Sequence, residues 1–311
     1  MLPDSLLNMV RPFRIDFESH DEHDVFLKDV TLFNADELAQ ATHVLVGCPQ
    51  DMGVSRNMGR IGAAKAPNAV RQMLYKFKSP VDKDGVKLLD LGDVDTSGGL
   101  ESAHERLHSV VSALLREDKK VMVLGGGNDI SLPDAHACAD VLGEIAAINM
   151  DAHLDMRKAD RVHSGTPYRN LIEGGHLKSQ NFHEVGIQAQ VNSPHYLDDA
   201  AHLAVNIHTL SHIMQHGADM YFDSLFELLD NKPLFAGLDM DSVRASDAPG
   251  VSAPSPIGFT AEEVMNFAAR CRAYGKTAVF EITEVNPDMD VDNRTARLAA
   301  LVLYTYLYGW A

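Results

Sequence analysis

Three ionisable side chains with regular spacing follow a short apolar run in the middle of the chain. In the segment AAINMDAHLDMR they are Asp151, His153 and Asp155, at positions i, i+2 and i+4. In an extended backbone these side chains point to one side, so that two carboxylates and an imidazole converge. Such a group at a buried strand end repels itself or stays desolvated unless a cation binds. The spacing therefore predicts a metal site, against the alternative of a solvated acidic turn with a chance histidine.

A second pair of carboxylates ends another apolar run, LFAGLDMDSV. Asp239 and Asp241 stand at i and i+2, again on one side of an extended backbone. Four aspartates and a histidine form a mostly oxygen ligand set, which suits two carboxylate-bridged Mn²⁺ ions better than a tetrahedral structural zinc. Two such ions, about 3.5–4 Å apart, would activate a water molecule for hydrolysis at neutral pH.

The last apolar run, in VFEITEVNPD, contributes two glutamates. Glu281 and Glu284 follow its apolar residues, and we expect one of them to face the same cavity. A carboxylate beside a metal cluster can hold a cationic, amidine-like substrate through a charge-assisted hydrogen bond. The alternative is an exposed loop glutamate that binds nothing.

Three consecutive glycines follow a further apolar run in KKVMVLGGGNDIS. They do not match a nucleotide-binding loop, because GxGxxG would need glycine at position 130, where isoleucine stands, and the P-loop GK[ST] is missing. We interpret the glycines as a tight turn before a helix capped by Ser131.

These donors need a scaffold that brings the ends of separate runs together. Eight short runs are predicted strands, because they are continuously apolar, as expected for strands covered on both faces. Parallel strands of such a sheet bind ligands beyond their carboxyl ends. The predicted strands are residues 42–48, 87–92, 120–125, 144–150, 183–188, 203–208, 234–239 and 277–282.

Amphipathic helices are predicted between these strands. Thr260 with Glu263, and Ser131 with Asp134, have the spacing of a capping box. Alternation of strands and helices predicts an α/β fold, with one parallel sheet flanked by helices. Since the sequence contains no linker, repeat or low-complexity segment, we expect residues 1–311 to form a single domain.

Composition restricts the partners and the compartment. The formal net charge of -17 argues against nucleic acid and anionic membranes as partners. No signal peptide is evident, and the apolar stretch 298–311 is too short to span a bilayer, which predicts a buried helix. Cys48, Cys138 and Cys271 show no disulfide pattern, which suits a reducing cytoplasm. The acidic run 17–24 has no strand before it and is interpreted as a solvated turn.

Together these segments resemble the ureohydrolase (arginase/agmatinase) superfamily, from about residue 42 to residue 307. Its motifs appear in the expected order as LGGGND, NMDAHLD, SGTPYR, GLDMDSV and EITEVNP. The segments GVSRNMGRIGAAKAPNAVR, SDAPGVSAPSP and MDVDNRTARLAALVLY resemble the formiminoglutamase branch. The resemblance implies a three-layer α/β/α arginase-like fold with an eight-stranded parallel sheet, often in homo-oligomers. It also implies hydrolysis of N-formimino-L-glutamate to L-glutamate and formamide in histidine degradation, with two Mn²⁺ ions.

The resemblance assigns roles position by position. Asp151 and Asp239 match bridging ligands, and Glu284 matches the glutamate that holds the amidine group. A proton-shuttling histidine of arginases corresponds to Tyr168 here, which argues against arginase activity and leaves His163 or a metal-bound water for that task. Asp155 is also expected to carry a proton to the leaving amine. The full set of metal ligands implied is Asn128, Asp151, His153, Asp155, Asp239 and Asp241.

Asn128 is the largest departure from the family pattern, which has a histidine ligand at this position. An amide oxygen is neutral and a weaker donor than imidazole. We therefore expect Asn128 to coordinate its ion and to hold it weakly. The alternative is loss of that ion, which would leave a single-metal or inactive protein.

A substrate with two carboxylates requires cations around the cavity of an otherwise acidic protein. Arg157 is the first candidate, because a guanidinium binds a carboxylate bidentately, and Arg60 and Arg169 are the next. For each arginine a structural or surface ion pair is the alternative. For the protein as a whole, the alternatives are another amidine or guanidine hydrolase, such as an agmatinase or guanidinobutyrase, and a non-catalytic relative with an incomplete metal cluster.

Overall fold

A computed structural model of the protein describes residues 3–15, 17–18, 21, 23–80 and 85–310. The acidic run 17–24 lies partly outside these residues, at Ser19, His20 and Glu22. Its described ionisable side chains are exposed, as the predicted solvated turn requires.

The described residues form a sheet of nine strands in the spatial order β1-β3-β2-β4-β9-β8-β5-β6-β7. Eight strands are parallel, and the short β1 pairs antiparallel with β3 at one edge. In chain order the strands are β1 (Val10–Arg11), β2 (His43–Gly47), β3 (Leu88–Val94), β4 (Lys120–Leu124), β5 (Ala146–Met150), β6 (Phe182–Ile187), β7 (Asn206–Thr209), β8 (Leu234–Asp239) and β9 (Thr277–Thr283).

All eight predicted strands are present and parallel, which confirms that prediction, and the sheet contains one strand more than the eight predicted. The ninth strand was not predicted, because two residues are too few to show a period. Its register pairs Val10 with Val94 and Arg11 with Asp93.

Helices cover both faces of the sheet, which gives the predicted three layers. In chain order the helices of the described residues are α1 (Asp4–Leu7), α2 (Leu27–Val30), α3 (Met52–Arg56), α4 (Ala66–Leu74), α5 (Leu100–Arg116), α6 (Ser131–Leu142), α7 (Pro167–Glu173), α8 (Pro194–His202), α9 (Leu210–His216), α10 (Ala218–Glu227), α11 (Ala261–Tyr274) and α12 (Arg294–Tyr308).

Two apolar cores explain why the strands are apolar at consecutive positions. Leu45 packs into the core that holds α4, α11 and α12, whereas its neighbours Val44 and Val46 pack into the core that holds α5 and α6. Successive side chains of a strand point to opposite faces, so a sheet covered on both sides needs apolar residues at every position. Burial of both faces therefore explains why all eight parallel strands could be predicted from runs of consecutive apolar residues.

The helix ends test two further predictions. Thr260 and Glu263 form the predicted capping box at the start of α11. The capping box predicted for Ser131 and Asp134 is wrong. Ser131 is itself the first residue of α6, and its hydroxyl points toward Asn128 and the strand β9 instead of capping the helix.

The C-terminal apolar stretch forms most of α12, whose inner side is buried against α4 and α11. Within the described ranges, no helix combines the length and the apolar character needed to cross a membrane. Cys48, Cys138 and Cys271 are all buried thiols.

Candidate metal centre

The predicted donors lie at or just beyond the ends of four strands that are neighbours in the middle of the sheet. The strands β4, β9, β8 and β5 lie side by side in that order. Their registers align Leu124 with Ile282, Ile282 with Leu238, and Leu238 with Met150. The four strands therefore end at the same level, and the segments that follow them meet above this row although they are distant in the sequence.

Asp151 belongs to two groups of donor atoms. In one group, ligand atoms of Asp151, His153 and Asp241 all lie within 4.8 Å of one another. In the other group, ligand atoms of Asp151, Asp155 and Asp239 lie within the same distance of one another. A carboxylate shared between two groups is what a pair of bridged ions needs. The geometry supports Asp151 as a bridge more directly than Asp239, which belongs to one group.

The imidazole of His153 faces the carboxylates through Nδ1. This atom lies 3.3 Å from Asp151 Oδ1 and 3.2 Å from Asp241 Oδ2. The side chain is 26% exposed, whereas Asp151 is fully buried, so His153 stands at the mouth of the site and Asp151 at its floor. Nδ1 is therefore the ring atom available to a metal.

Electrostatics at this site favour a bound cation. Burial, followed by the charge of Asp241, raises the pKa of Asp151 to about 6. Burial also raises the pKa values of Asp155, Asp239 and Glu284 well above their usual range. The carboxylate of Asp241 in turn raises the pKa of His153. These buried carboxyl groups cannot all ionise next to one another unless positive charge is brought in.

The donor set fits hard divalent cations. Carboxylate oxygens with one imidazole are ligands that suit Mn²⁺, and one ion in each group would neutralise the crowded charges. Asp241 Oδ1 is buried and has no hydrogen-bond partner among the described residues, so it has a free acceptor position. Buried polar atoms without a partner are uncommon and indicate a missing ligand.

Asn128 lies in the 3₁₀ segment Asn128–Ile130 and directs its amide nitrogen at the same carboxylates. Nδ2 donates to Asp155 Oδ2 at 2.6 Å and lies 3.5 Å from Asp151 Oδ2. The amide oxygen accepts from the hydroxyl of Thr283 at 3.0 Å and lies 3.0 Å from the hydroxyl of Ser131. The side chain therefore reaches the site as predicted, with nitrogen rather than oxygen toward the donors.

Two hydroxyls behind Asn128 allow the opposite orientation of its amide. The orientation of an amide is assigned from its hydrogen bonds, and hydroxyls can accept as well as donate. Ser131 also contacts Glu281 Oε2 at 2.6 Å and has only one proton to give. After a half-turn of the amide, Nδ2 would donate to Ser131 and Thr283, and Oδ1 would face the metal ligands. The sequence offered no signal for these two supporting hydroxyls.

Two site residues adopt left-handed backbone conformations, which corrects the simple expectation of an extended segment. The φ angles are +47° at Asp155 and +62° at Glu284. β5 ends at Met150, so Asp155 is brought back to Asp151 by this turn and not by strand alternation. Strained conformations of this kind persist where the surrounding structure holds them, often at functional sites.

Gly126 shows why the glycine run is needed. A Cβ atom at this position would lie 1.5 Å from the backbone oxygen of Gln50, so no other residue fits. The backbone nitrogen of Glu284 donates to Gly126 O at 2.9 Å, which ties the loop after β9 to the same turn. The glycines thus form the predicted tight turn, and they permit close approach of two backbone segments.

A cavity of about 490 Å³ opens above the donors. His153, Asp155, Asp239, Asp241 and Glu284 line it. Glu284 Oε1 accepts from the backbone nitrogen of Asn128 at 3.0 Å, while Oε2 is buried without a partner among the described residues. Glu284, just after β9, faces the cavity, whereas Glu281, within β9, lies behind Asn128 against Ser131.

The three candidate arginines occupy different environments. Arg157 and Arg60 line the cavity. Arg157 is exposed and forms no ion pair with any carboxylate of the described residues, whereas Arg60 donates to the backbone oxygens of Ser252 and Val251. Arg169 is not part of the lining, because Glu173 and Asp199 hold its guanidinium at 2.8 and 3.2 Å. Arg169 therefore forms the structural ion pair that was the alternative to its role in substrate binding.

His163 and Tyr168 lie outside the cavity lining. His163 Nδ1 accepts from the backbone nitrogen of Gly165 at 3.1 Å, and burial, with the nearby charge of Arg157, lowers its pKa. Tyr168 is fully buried and stacks on Phe182. The role of His163 as a proton shuttle stays a prediction.

Several polar residues of the cavity wall had no signal in the sequence. Asn57 donates to the hydroxyl of Ser164 at 3.0 Å, and both line the cavity. Asn192 and Tyr196 also line it. Isolated Asn, Ser and Tyr residues in loops are too common to be recognised without the fold.

Comparisons with known proteins identify the family of the chain. The profile of the arginase family matches residues 41–309. The formimidoylglutamase of Citrobacter koseri is 32% identical, and the alignment covers 88% of this chain and 87% of the Citrobacter koseri protein. The crystal structure of the formiminoglutamase of Trypanosoma cruzi with Mn²⁺₂ has a TM-score of 0.86 and 32% identity, covering 92% of this chain and 98% of its own. The formimidoylglutamase of Bacillus subtilis has a TM-score of 0.87 and 29% identity, covering 96% of this chain and 95% of its own. The chain belongs to the arginase family.

Proposed function

We propose that this protein is a formimidoylglutamase, which hydrolyses N-formimino-L-glutamate to L-glutamate and formamide with two Mn²⁺ ions. One observation carries the proposal: a single cavity combines the metal donors, the free carboxylate oxygen of Glu284 and the arginine Arg157, which pairs with no described carboxylate. This combination suits a substrate with an amidine group at one end and carboxylates at the other. Relatives named formimidoylglutamase match nearly the whole chain and support it.

Each residue of the donor set would take part in holding the ions. Asp151 would bridge, since it belongs to both donor groups, and Asp239 would be the second bridge. His153 and Asp241 would complete the ligand set of one ion, and Asp155 and Asn128 would complete that of the other. When bound, the two ions would supply a nucleophilic water with a pKa close to neutrality.

Glu284 would orient the amidine carbon toward that water. Its Oε1 is fixed by Asn128, and its buried Oε2 is free to accept an N–H of the substrate amidine. Because the carboxyl is buried, such a charge-assisted hydrogen bond is stronger than it would be in water. The carboxylate would also stabilise the positive charge of a protonated amidine, the form whose carbon is more readily attacked.

Asp155 is the residue that we favour for proton transfer. It lines the cavity, and a carboxylate beside the reacting atoms can accept a proton and pass it on. In the reaction a C–O bond forms at the formimino carbon, and the bond from that carbon to the glutamate nitrogen breaks. Asp155 would take the proton from the attacking water and give it to the leaving nitrogen, which departs as the amine of L-glutamate.

Arg157 would bind the carboxylates of the substrate, with Arg60 as a second cation. The Arg157 guanidinium is exposed at the cavity and free of carboxylate partners among the described residues, so binding would break no existing ion pair. Arg60 already donates to two backbone oxygens and would contribute mainly its charge. An agmatine-like substrate without a carboxylate would need neither arginine.

Asn128 would hold its ion less tightly than the other donors hold theirs. Its oxygen is engaged by hydroxyls, so coordination requires a half-turn of the amide. The neutral oxygen that results is a weaker donor than an imidazole nitrogen. The two ions should therefore differ in affinity.

A panel of small substrates with added Mn²⁺ tests the function. N-formimino-L-glutamate should release formamide and L-glutamate, whereas agmatine, 4-guanidinobutyrate and arginine should release little or no urea. Urea release from one of the guanidines as the main activity would instead identify another hydrolase of the family. Absence of any turnover with Mn²⁺ bound would favour a non-catalytic relative.

The same assay with Arg157→Ala tests the substrate class. The variant should raise KM for N-formimino-L-glutamate by roughly 10- to 100-fold, since a charge-assisted hydrogen bond contributes about 1.5–3 kcal/mol. Lys158→Ala removes a neighbouring exposed cation outside the cavity lining and is the matched control. An unchanged KM in Arg157→Ala would remove the support for a dianionic substrate.

A further inference from the structure

A second group of metal-binding side chains lies on the solvent-facing side of α5 and α6, apart from the central site. His108 belongs to α5, and His136 and Asp140 belong to α6. His136 and Asp140 are four residues apart, so they share one side of their helix. The two helices pack against each other, which brings His108 to the same place.

The donor atoms of this group converge on one point. His108 Nε2 lies 3.0 Å from Asp140 Oδ2, and His136 Nε2 lies 3.4 Å from Asp140 Oδ1. One ligand atom from each residue lies within 4.8 Å of the others. A tetrahedral ion with bonds of about 2.0–2.1 Å holds its ligand atoms roughly 3.3 Å apart, which the two histidine–carboxylate distances approach.

The group is accessible from solvent and chemically suited to coordination. The side chains are 27%, 30% and 42% exposed for His108, His136 and Asp140. A further imidazole, His176, packs on His136 with ring centroids 3.5 Å apart. A neutral imidazole binds an ion through a ring nitrogen, and the Nε2 atoms of His108 and His136 both face the carboxylate of Asp140.

We propose that His108, His136 and Asp140 form a binding site for one borderline divalent transition ion of the Zn²⁺ class, with water as the fourth ligand. Two imidazoles and one carboxylate favour Zn²⁺ over Mn²⁺, which prefers a set rich in oxygen. The proposed ion is therefore different in kind from the pair at the central site, and the proposal does not depend on the enzymatic function.

An ion at this position would connect α5 to α6. The N-terminal end of α6 contains Ser131, which supports Asn128, and α5 contains His104, whose Nε2 lies 2.7 Å from Asp129 Oδ2. The ion would thus stabilise the two helices that stand behind the turn of Asn128. Its role would be structural, since no residue of the group lines the cavity.

Metal content after equilibration with Zn²⁺ tests the site. The Mn²⁺-loaded protein, His136→Ala and Asp140→Asn are dialysed against a buffered excess of Zn²⁺, and Zn and Mn are then counted per chain. The unsubstituted protein should bind one Zn²⁺ more than either variant. Exchange of Zn²⁺ for Mn²⁺ at the central site affects all three samples equally, so the difference between them reports the proposed site alone.

A second histidine pair provides the control. His212 and His216 on α9 have the same spacing, with ring centroids 4.2 Å apart, but no described carboxylate completes a group of three donors there. His216→Ala should keep the additional Zn²⁺. Equal Zn content in the unsubstituted protein and Asp140→Asn, a variant that preserves shape and helix, would overturn the proposal, as would loss of the additional ion in His216→Ala.

Discussion

Asn128 is the residue at which local chemistry has the largest effect on the site. Its backbone nitrogen positions Glu284, and its side-chain amide contacts Asp155, so one residue connects the carboxylate proposed to bind the amidine to the donor set. The hydroxyls of Ser131 and Thr283 can satisfy either end of the amide. The orientation of a single side chain thus decides whether an oxygen ligand is available.

Replacement of this residue by histidine gives a prediction at the residue scale. Titration of the metal-free protein with Mn²⁺, followed by calorimetry, should give two sites of unequal affinity. Asn128→His should tighten the weaker site by roughly tenfold, about 1.4 kcal/mol, because imidazole is the better donor. Asn57→His alters an asparagine on the cavity wall and should leave both affinities unchanged. Two equally tight sites in the unsubstituted protein would contradict the prediction.

At the scale of elements, helix α6 and strand β9 are joined behind the site by two buried carboxyl groups. Asp134 and Glu281 are both fully buried and face each other, yet Asp134 Oδ2 and Glu281 Oε1 have no donor among the described residues. A proton shared between them satisfies both atoms. Burial raises the pKa of Asp134 to about 8 and that of Glu281 well above its usual range.

This pair predicts a loss of stability with rising pH. The pKa of Asp134 is raised from 3.8 to about 8 on folding, so its stabilising contribution is complete below pH 3.8 and is lost as the pH rises through 8. Asp134→Asn can donate to Glu281 without a titrating proton. The free energy of unfolding of the variant minus that of the unsubstituted protein should therefore be roughly 1–2 kcal/mol larger at pH 9 than at pH 5.

Urea unfolding at several pH values measures this difference. Asp160→Asn changes an exposed aspartate and serves as the control. If the difference in unfolding free energy between Asp134→Asn and the unsubstituted protein were the same at pH 5 and pH 9, the shared proton would be refuted.

At the scale of the whole molecule, one sheet connects nearly the entire chain. Strands from β1 to β9 belong to it, and α12, near the C-terminus, packs against α4 in the same core. We propose on this basis that residues 1–311 form a single domain. The centre of that sheet collects buried carboxyl groups in a protein whose formal net charge is already -17. Metal binding and global stability should therefore be coupled.

Removal of the metal gives the corresponding prediction. In the metal-free protein the pKa of Asp151 is raised to about 6, so its contribution to stability is present below pH 3.8 and is lost as the pH rises through 6. Mn²⁺ at 100 times its Kd should stabilise the fold by about 2.7 kcal/mol, a rise in Tm on the order of 5 °C. Calorimetry with EDTA or Mn²⁺ should find a larger effect of Mn²⁺ at pH 7.5 than at pH 5.5. Identical Tm values at pH 7.5 would refute the coupling.

The sequence by itself determined the eight parallel strands and the identity of the residues that follow them. Buried strands require apolar residues at consecutive positions, and carboxylates or glycines directly after such a run are local signals. For this reason Asp151, Asp239 and Glu284 could be recognised from their immediate neighbours. The edge strand β1 was missed because two residues give no pattern.

Only the tertiary structure decided how these residues meet. The left-handed turns at Asp155 and Glu284, the hydroxyls behind Asn128 and the ion pairs of Arg169 depend on contacts between segments far apart in the sequence. Local spacing contains no information about such contacts, since their energy arises when strand ends are brought to one level by the register of the sheet. Residue types therefore indicated the chemistry of the site, and the packing of distant segments determined its geometry.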